Sequence, residues 1–356
     1  MKAPAGGPGS ATLRVHALPP FRMSQDPHRK DALHHFVAHN LGEARFDLAP
    51  ASADASFRSY WRVTRGAATW VVMDAPPALE DSRPWLDIGA RLSRAGLHTP
   101  AVLAQDLDQG FLLLEDFGHR TLLPELNATS VDAHYAQALD AMLTMQRDVG
   151  ASDLPPFDAA WATQEMELMP TWFLQRHLGI DASCGDWDQI ELAFRRILDA
   201  LAQQPQRFMH RDFHSRNLMI VAQNNPGIID FQGARLGPIT YDPVSLLRDC
   251  YIEWPAQRVA EWAESYRLRL RDAGICDVDS ARFRRWFDFT GLQRHIKVLG
   301  IFCRLFYRDG KPQYLTDLPL VLRYVMDVAR GYEEFAGLVA LLERATAGVD
   351  ITQPRP

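Results

Sequence analysis

The spacing of hydrophobic and polar residues changes about one third of the way along the chain. In the first third, short runs alternate apolar with polar residues, which is the period of a β-strand whose two faces differ. The runs 57–64 and 69–73 flank Arg65-Gly66 and so predict a β-hairpin, and a second hairpin is predicted across 101–114. We therefore expect a small antiparallel sheet in this part of the chain. The helices predicted beside it cover 28–40 and 84–96.

Beyond residue 116 the period lengthens, and apolar residues recur every three to four positions, as on one face of a helix. The segment 207–231 is an exception, because short apolar runs, predicted to be strands, flank its polar loops. These patterns predict an α+β fold with a small N-terminal antiparallel β lobe and a larger, mainly helical C-terminal lobe. The predicted helices of the second lobe cover 130–148, 158–178, 186–203, 255–273, 279–308 and 317–346.

The same patterns divide the chain into four segments. The β lobe is predicted to cover 28–116 and the helical lobe 117–346, with the ligand cleft expected between them. Residues 1–27 are rich in Gly, Pro and Ala and predict a disordered extension. A flexible tail is predicted for 347–356.

Composition and charge narrow the class of protein. A chain of 356 residues is long enough for two lobes with a substantial core. An apolar fraction of 47% and a charged fraction of 23% are those of a soluble globular protein. The net charge of −6 gives no general affinity for nucleic acids or anionic membranes, and no apolar run approaches the length of a transmembrane helix. The cysteines lie far apart in the sequence, which predicts free thiols and a cytoplasmic location.

Two polar motifs in the helical lobe carry candidate chemistry. His210-Arg211-Asp212 is followed, after four further residues, by Asn217, and the apolar run Ile228-Ile229 ends in Asp230. Phosphoryl transfer from a nucleotide needs a carboxylate beside the attacking hydroxyl and hard oxygen ligands for Mg²⁺. Asp212 fits the base, whereas Asn217 and Asp230 fit the ligands. The alternative is an ordinary polar loop in which His210 and Asp212 cap neighbouring elements.

These motifs resemble those of the aminoglycoside phosphotransferase and choline kinase superfamily, which shares the protein-kinase fold. Over about 28–345 the chain also resembles one bacterial subgroup, the anomeric kinases of N-acetylmuramate and N-acetylglucosamine. The resemblance implies transfer of the ATP γ-phosphate, with Mg²⁺, to the C1 hydroxyl of the sugar during peptidoglycan recycling. The segments that carry the closer resemblance are 52–58, 71–77, 111–116, 293–302 and 307–312.

The resemblance implies roles for individual residues. Asp212 would be the general base, and Asn217 with Asp230 would hold Mg²⁺. His210 and Asp242 would support the catalytic loop, although Asp242 fits equally well as an ordinary N-cap of the helix that follows it. The hinge, whose backbone would contact adenine, would comprise Leu114, Glu115, Asp116 and Phe117.

A residue that the superfamily uses to bind the nucleotide phosphates is missing. The resemblance places a lysine at the end of the strand 69–73, but the chain has Met73 there, and no lysine occurs between Lys30 and Lys297. The phosphate charge must then be met by arginine, metal or backbone dipoles. The arginine candidates are Arg58 and Arg83, each of which could equally be an exposed surface residue. Ser56, in the predicted phosphate loop, could contribute its hydroxyl.

The acceptor site is less constrained by the sequence. An aromatic platform and planar polar groups suit a sugar, and an arginine suits the lactyl carboxylate that distinguishes N-acetylmuramate. Each candidate alone fits a core or surface position as well. The candidates are Glu165, Trp172, Arg176, Gln232 and Arg235.

The sequence thus predicts an ATP- and Mg²⁺-dependent kinase of a small-molecule amino sugar, with no obligate protein partner. One alternative is a kinase of another small molecule, such as an aminoglycoside or an amino alcohol. Another is a nucleotide-binding module without catalysis, which the missing lysine favours and the base Asp212 disfavours. The sequence does not rank the two amino sugars.

Overall fold

The structure, a computed structural model, describes residues 27–53 and 57–355. The predicted extension 1–27 lies outside the described residues except for its last member, Pro27, which begins the first helix. The strands are β1 Asp47–Ala53, β2 Ser59–Arg65, β3 Ala68–Asp74, β4 Val102–Asp106, β5 Phe111–Glu115, β6 Gln206–Met209, β7 Leu218–Met219, β8 Gly227–Ile228 and β9 Arg235–Pro238. The α-helices are α1 Pro27–Leu41, α2 Arg83–Arg94, α3 Val131–Asp148, α4 Ala159–Met166, α5 Cys184–Ala202, α6 Tyr241–Leu247, α7 Ala256–Asp272, α8 Ser280–Tyr307, α9 Leu318–Arg330 and α10 Ala336–Thr346.

The first five strands form one antiparallel sheet in the order β1-β2-β3-β5-β4. Both predicted hairpins are confirmed, β2 with β3 and β4 with β5. β1 was not predicted, because its sequence contains Pro50 and mostly small residues that have low strand propensity. Its pairing with β2 shifts register between Pro50 and Ser52, so β1 is an irregular edge strand.

Alternation along the strands gives the sheet two apolar faces. Val72 and Leu113 pair across β3 and β5 and pack against Phe36 and other residues of α1. Their neighbours Met73 and Leu112 point to the opposite face and join the large core of the helical part. Both faces of the central strands are therefore buried. The inner face looks toward residues 207–231, which carry the two predicted motifs and are called the catalytic segment below; its part 210–217 is called the catalytic loop.

The helical part is built around α8, which contacts α4, α5, α6, α7 and α9. Two small antiparallel sheets lie in this part, β6 with β9 and β7 with β8. The catalytic loop connects β6 to β7, and Asp230 lies two residues after β8. The predicted α+β fold is therefore confirmed, with the polar motifs at the ends of short strands, whereas the exact lobe boundary at 116 stays a prediction.

Two of the predicted helices are interrupted. The segment 158–178 divides into α4 and a π-helical segment, Met169–His177, whose second residue is Pro170. The segment 317–346 divides into α9 and α10 at Gly331. Proline removes a backbone donor and glycine has poor helix propensity, so both breaks have a local cause.

The segment after α10, predicted to be a flexible tail, returns to the body of the protein. Ile351 is buried, and its carbonyl accepts a hydrogen bond from His177 at 2.8 Å. Arg355 donates to the carbonyl of Leu178 at 2.6 Å. Among the described helices, none has the length and hydropathy needed to cross a membrane.

Candidate active site

A cavity of about 370 Å³ separates the inner face of the sheet from the catalytic segment. Its upper wall comprises Tyr60, Arg62 and Val71 from β2 and β3, and its back wall is the predicted hinge, 114–117. The catalytic segment forms the opposite wall, through residues that include Arg216, Asn217, Met219, Ile229, Asp230 and Phe231. An elongated ligand that enters this cavity therefore reaches from the hinge to the two predicted metal ligands.

The catalytic loop brings the three predicted catalytic residues together. Asn217 donates through Nδ2 to the backbone carbonyl of Asp212 at 3.0 Å and to Asp230 Oδ2 at 3.1 Å. Asp230 has a φ of +63° and Arg211 a φ of +80°, a region that residues other than glycine rarely adopt. Such strain persists only where the surroundings enforce it, and both strained residues lie in the two predicted motifs.

Asp242 and His210 support this loop, as the resemblance implied. Asp242 lies in the first turn of α6, and its carboxylate accepts from the backbone N–H groups of His210 at 2.7 Å and Arg211 at 2.9 Å. Burial raises the pKa of Asp242 to about 7. His210 bonds through Nε2 to the carbonyl of Ile229 at 3.1 Å, which ties the catalytic loop to the segment that carries Asp230. The alternative role of Asp242, as a cap, is not observed, because the helix has no side-chain cap.

The side chain of Asp212 lies in a positive environment. Burial raises the pKa of Asp212, but the charges of Arg211 and Lys297 outweigh this effect and bring its pKa to about 2. The carboxylate is therefore ionised at every pH at which the protein would be studied. Such an acid is a weak base, so its main contribution is to orient a hydroxyl through a hydrogen bond.

A buried charge network lies behind Asp212. Lys297, on α8, contacts Glu165 of α4 at 3.0 Å and donates to the hydroxyl of Tyr241 at 3.2 Å. Glu165 also lies 3.4 Å from the guanidinium of Arg211 and accepts from Gln293 at 3.2 Å. Burial raises the pKa of Glu165, but its two cationic neighbours outweigh this and keep the pKa below its usual range. The network thus holds Arg211, and with it the catalytic loop, against two helices.

Removal of the lysine charge tests this network. We expect Lys297→Met to lower the free energy of unfolding by about 3–5 kcal/mol, because it removes the nearer of the two cations that compensate the buried carboxylate of Glu165 and leaves Arg211 at 3.4 Å. Lys30→Met is the matched control, since Lys30 is exposed and its ammonium lies 5.9 Å from the centroid of the Trp61 ring, and it should cost less than about 1 kcal/mol. Urea denaturation of the two variants provides the comparison.

The double variant Glu165→Gln/Lys297→Met separates charge from packing. If the two residues interact as an ion pair, the double variant is more stable than the sum of the single losses predicts. Strictly additive losses would show that each residue contributes only through its own packing.

The donor set at Asn217 and Asp230 fits a magnesium ion. Mg²⁺ typically takes one or two carboxylates and completes its shell with phosphate oxygens and water. The Nδ2 atom of Asn217 is used by Asp212 and Asp230, which leaves Oδ1 as the amide atom suited to a cation. Within the described ranges there is no cluster of three or more acidic, histidine or cysteine ligands, so a metal cage made of protein alone is not present there.

The four hinge residues line the cavity, and the side chains of Glu115 and Asp116 are bonded to other residues of the protein. The side chain of Asp116 is held by Arg62 at 2.6 and 2.9 Å, and that of Glu115 by His98 at 3.1 Å. Both carboxylates are therefore bonded within the protein, and the backbone N–H of Glu115 donates to the carbonyl of Ala101 at 2.9 Å. Phe117 packs edge-on against His98, with ring centroids 4.6 Å apart.

The phosphate candidates differ in their placement. Ser56 lies outside the described residues. Arg58 immediately precedes β2, is 9% exposed and lies 3.5 Å from Glu80. The side chain of Arg83 is 80% exposed and is bonded to its neighbour Asp81, so it lies on the surface as its alternative interpretation anticipated.

The acceptor candidates fall into two groups. Glu165 joins the charge network, Gln232 donates to Asp230 at 2.7 Å, and Arg235 stacks on the ring of Trp161, which itself donates to Glu165. These side chains lie beside the catalytic loop. Trp172 and Arg176 instead line a surface hollow with Arg355, and Arg176 stacks on Tyr307. No residue of the catalytic loop lines that hollow, so the structure does not place these two in the acceptor site.

Sequence reasoning missed several residues of the site. Lys297 was noted only as the end of a lysine-free stretch, although a lone lysine within an apolar helical run is itself a signal of a buried charge. Arg62 and Arg216 line the cavity but belong to patterns that many surface arginines share. Their roles depend on contacts distant in sequence, which no local pattern predicts.

Comparison with known proteins connects this geometry to characterised relatives. The sequence profile of a family described as "Phosphotransferase enzyme family" matches residues 47–275. A Pseudomonas aeruginosa protein named N-acetylmuramate/N-acetylglucosamine kinase is 42% identical over 321 residues, which are 88% of this chain and 94% of that protein. A Pseudomonas putida protein of the same name is 41% identical over 305 residues, which are 85% of this chain and 89% of that protein.

Solved structures give the same fold at much lower identity. The crystal structure of an ADP-bound aminoglycoside phosphotransferase matches with a TM-score of 0.57 at 14% identity. The match covers 85% of this chain and 99% of that one. At this identity the likeness shows the fold alone, which is the two-part arrangement described above.

Proposed function

Because this chain belongs to the phosphotransferase enzyme family, we propose that it is an ATP-dependent kinase of N-acetylmuramate and N-acetylglucosamine in peptidoglycan recycling, acting on their C1 hydroxyl. The observation that carries the proposal is the position of Asn217 and Asp230, bonded to each other, in the wall of the cavity that begins at the hinge, with Asn217 also bonded to the backbone carbonyl of Asp212. The names of the relatives that match along most of the chain support the choice of sugars.

In this proposal the residues of the chain act mainly by position and charge. The hinge backbone holds the base of the nucleotide, and the cavity directs its phosphates toward Asn217 and Asp230. Asp212 accepts a hydrogen bond from the C1 hydroxyl and takes its proton as the hydroxyl oxygen bonds to the γ-phosphorus of ATP. The bond from that phosphorus to the β–γ bridging oxygen breaks in the same transfer, and ADP leaves with the bridging oxygen. An anomeric hydroxyl is more acidic than an ordinary alcohol, which suits a carboxylate whose pKa is about 2.

The metal that the family implies would be Mg²⁺, held by Asn217 and Asp230. When bound, it neutralises phosphate charge and lowers the barrier to transfer. The strained backbone at Asp230 and the bonds that Asn217 makes to the catalytic loop fix both ligands before the nucleotide enters.

We place the enzyme in the cytoplasm, where ATP is available. The chain's four cysteines are all free, which agrees with a reducing compartment. The substrate in this proposal is a small molecule, and no partner protein is needed to complete the site.

The experiment that tests the proposal detects the product directly. The full chain is incubated with ATP, Mg²⁺ and each amino sugar, and phosphorus and proton NMR are used to find a phosphate on C1. The expected result is the anomeric phosphate of both sugars together with ADP. Binding of ATP with no phosphorylated sugar would refute the proposed substrate and favour a non-catalytic module. Phosphate on an aminoglycoside or amino alcohol instead would identify the alternative kinase.

A further inference from the structure

The inner face of the sheet has no lysine where the nucleotide phosphates would lie. Val71 lines the cavity, and Met73, two residues later on β3, faces the same side and is fully buried. Among the residues that line the cavity in the described part of the chain, the cations are arginine or histidine and none is lysine. The compensating charge must therefore come from a different element.

The register of β2 shows which of its residues could supply that charge. Arg62 pairs with Val71 near the hinge, and Tyr60 pairs with Met73, so both face the cavity. Side chains alternate along a strand, and Arg58 therefore continues the row of Arg62 and Tyr60. Four residues advance roughly 13 Å along a strand, which carries the row from the hinge, where the base lies, toward the phosphate end of a nucleotide.

Arg58 is held at that end by Glu80. The guanidinium is largely buried and lies 3.5 Å from the carboxylate of Glu80, in the connection between β3 and α2. The backbone N–H of Glu80 donates to the carbonyl of Pro76 at 3.0 Å, which fixes this connection. A largely buried arginine is costly unless anions compensate it, and an incoming phosphate would add a second anion.

We propose that Arg58 binds the nucleotide phosphates in this chain and that Glu80 positions it. The proposal rests on the use of a nucleotide triphosphate in the proposed function. In this chain Arg58, just before β2, would take the role of the lysine that the superfamily carries on β3. The carboxylate that positions it, Glu80, lies before α2.

Two other arginines are weaker candidates for the same role. Arg83 is exposed and bonded to Asp81. Arg216 lines the cavity, but its guanidinium lies over the ring of Tyr251, 3.4 Å from the ring centroid. Burial raises the pKa of the neighbouring Asp317, and the positive charge of Arg216 opposes this larger effect. Both serve as comparison variants.

Titration calorimetry with ADP and with adenosine separates phosphate binding from base binding. Arg58→Met should weaken ADP binding about 10- to 100-fold, the effect of a lost charge-assisted hydrogen bond, and weaken adenosine binding less than about twofold. Arg83→Met, at an exposed position outside the cavity lining, should change neither affinity by more than about threefold. Arg216→Met, which alters the cavity wall, should lose less ADP affinity relative to adenosine affinity than Arg58→Met does. Equal losses for ADP and adenosine in Arg58→Met would overturn the proposal, as would an ADP-specific loss in Arg216→Met without one in Arg58→Met.

A double-variant cycle tests the role of Glu80. Glu80→Ala should weaken ADP binding about 3- to 10-fold in the native background and have no effect beside Arg58→Met. An equal effect in both backgrounds, or tighter ADP binding, would show that Glu80 does not position Arg58. If Arg58→Met unfolds, Arg58→Lys, which keeps the charge but lacks the planar fork, should still lose ADP affinity more than adenosine affinity.

This test does not depend on the acceptor. A chain that binds ADP through Arg58 but phosphorylates neither amino sugar would disprove the proposed substrate and leave the role of Arg58 intact. If the native chain phosphorylates the sugars and Arg58→Met shows no ADP-specific loss, the role of Arg58 is disproved and the proposed substrate is supported.

Discussion

Asp212→Ala should lower kcat for sugar phosphorylation about 1,000-fold and leave ATP affinity nearly unchanged. The carboxylate contacts the acceptor rather than the nucleotide in the proposed mechanism, and a positioned base contributes roughly 10²- to 10⁴-fold. Its side chain is not needed to hold the loop, because the contact with Asn217 uses the backbone carbonyl of Asp212. A coupled assay of ADP release, combined with calorimetry, measures both quantities.

The control for Asp212→Ala is Asp108→Ala, which removes an exposed carboxylate from the turn between β4 and β5. It should change neither quantity measurably. A parallel fall of ATP affinity and turnover in Asp212→Ala would show that Asp212 belongs to the nucleotide site and not to the acceptor site. Because the pKa of Asp212 is about 2, we also expect no loss of kcat from this group between pH 5 and 8.

Asp230→Ala should produce a different pattern, with a fall of about 1,000-fold or more in kcat and a loss of the Mg²⁺ dependence of nucleotide binding. The carboxylate is the only anionic member of the proposed ligand pair, so its removal leaves an amide that binds Mg²⁺ weakly. It also releases Asn217 and Gln232, which both donate to it at 3.1 and 2.7 Å. Titrations with ADP in the presence of Mg²⁺ and of EDTA measure the dependence.

The comparison with EDTA makes this prediction specific. In the native protein, EDTA should abolish turnover and weaken ADP binding, whereas in Asp230→Ala it should have no further effect on binding. An undiminished Mg²⁺ effect in the variant would place the metal elsewhere. Asp230→Asn, which keeps the shape of the side chain, should behave like the alanine variant if charge is what matters.

The two predictions concern residues that the sequence already singled out. The spacing of His210, Asp212 and Asn217 and the strand before Asp230 are local features, and the chemistry of each residue type is independent of the fold. The sheet and most of the helices could also be predicted from local features, because alternation and helical periodicity of apolar residues show which face of an element is buried.

Other features could not be predicted because they depend on packing between distant segments. β1 has few strand-forming residues and is held in the sheet by its pairing with β2. Trp172 and Arg176 have the residue types of a sugar site, yet the π-helical segment directs them into a surface hollow with Arg355. Residue type alone does not determine which face of the protein a side chain occupies.

The sequence by itself indicated the reaction class, since the residues proposed as base and metal ligands occur at the spacing of the motifs that carry the family resemblance. It also established that the usual lysine is absent, which is a matter of composition. Only the tertiary structure decided which charged side chains contact one another in and around the site. Lys297 contacts Glu165, which lies 132 positions earlier in the sequence, and Arg58, just before β2, lies beside Glu80 in the connection between β3 and α2. Folding brings these opposite charges together where burial makes their pairing necessary.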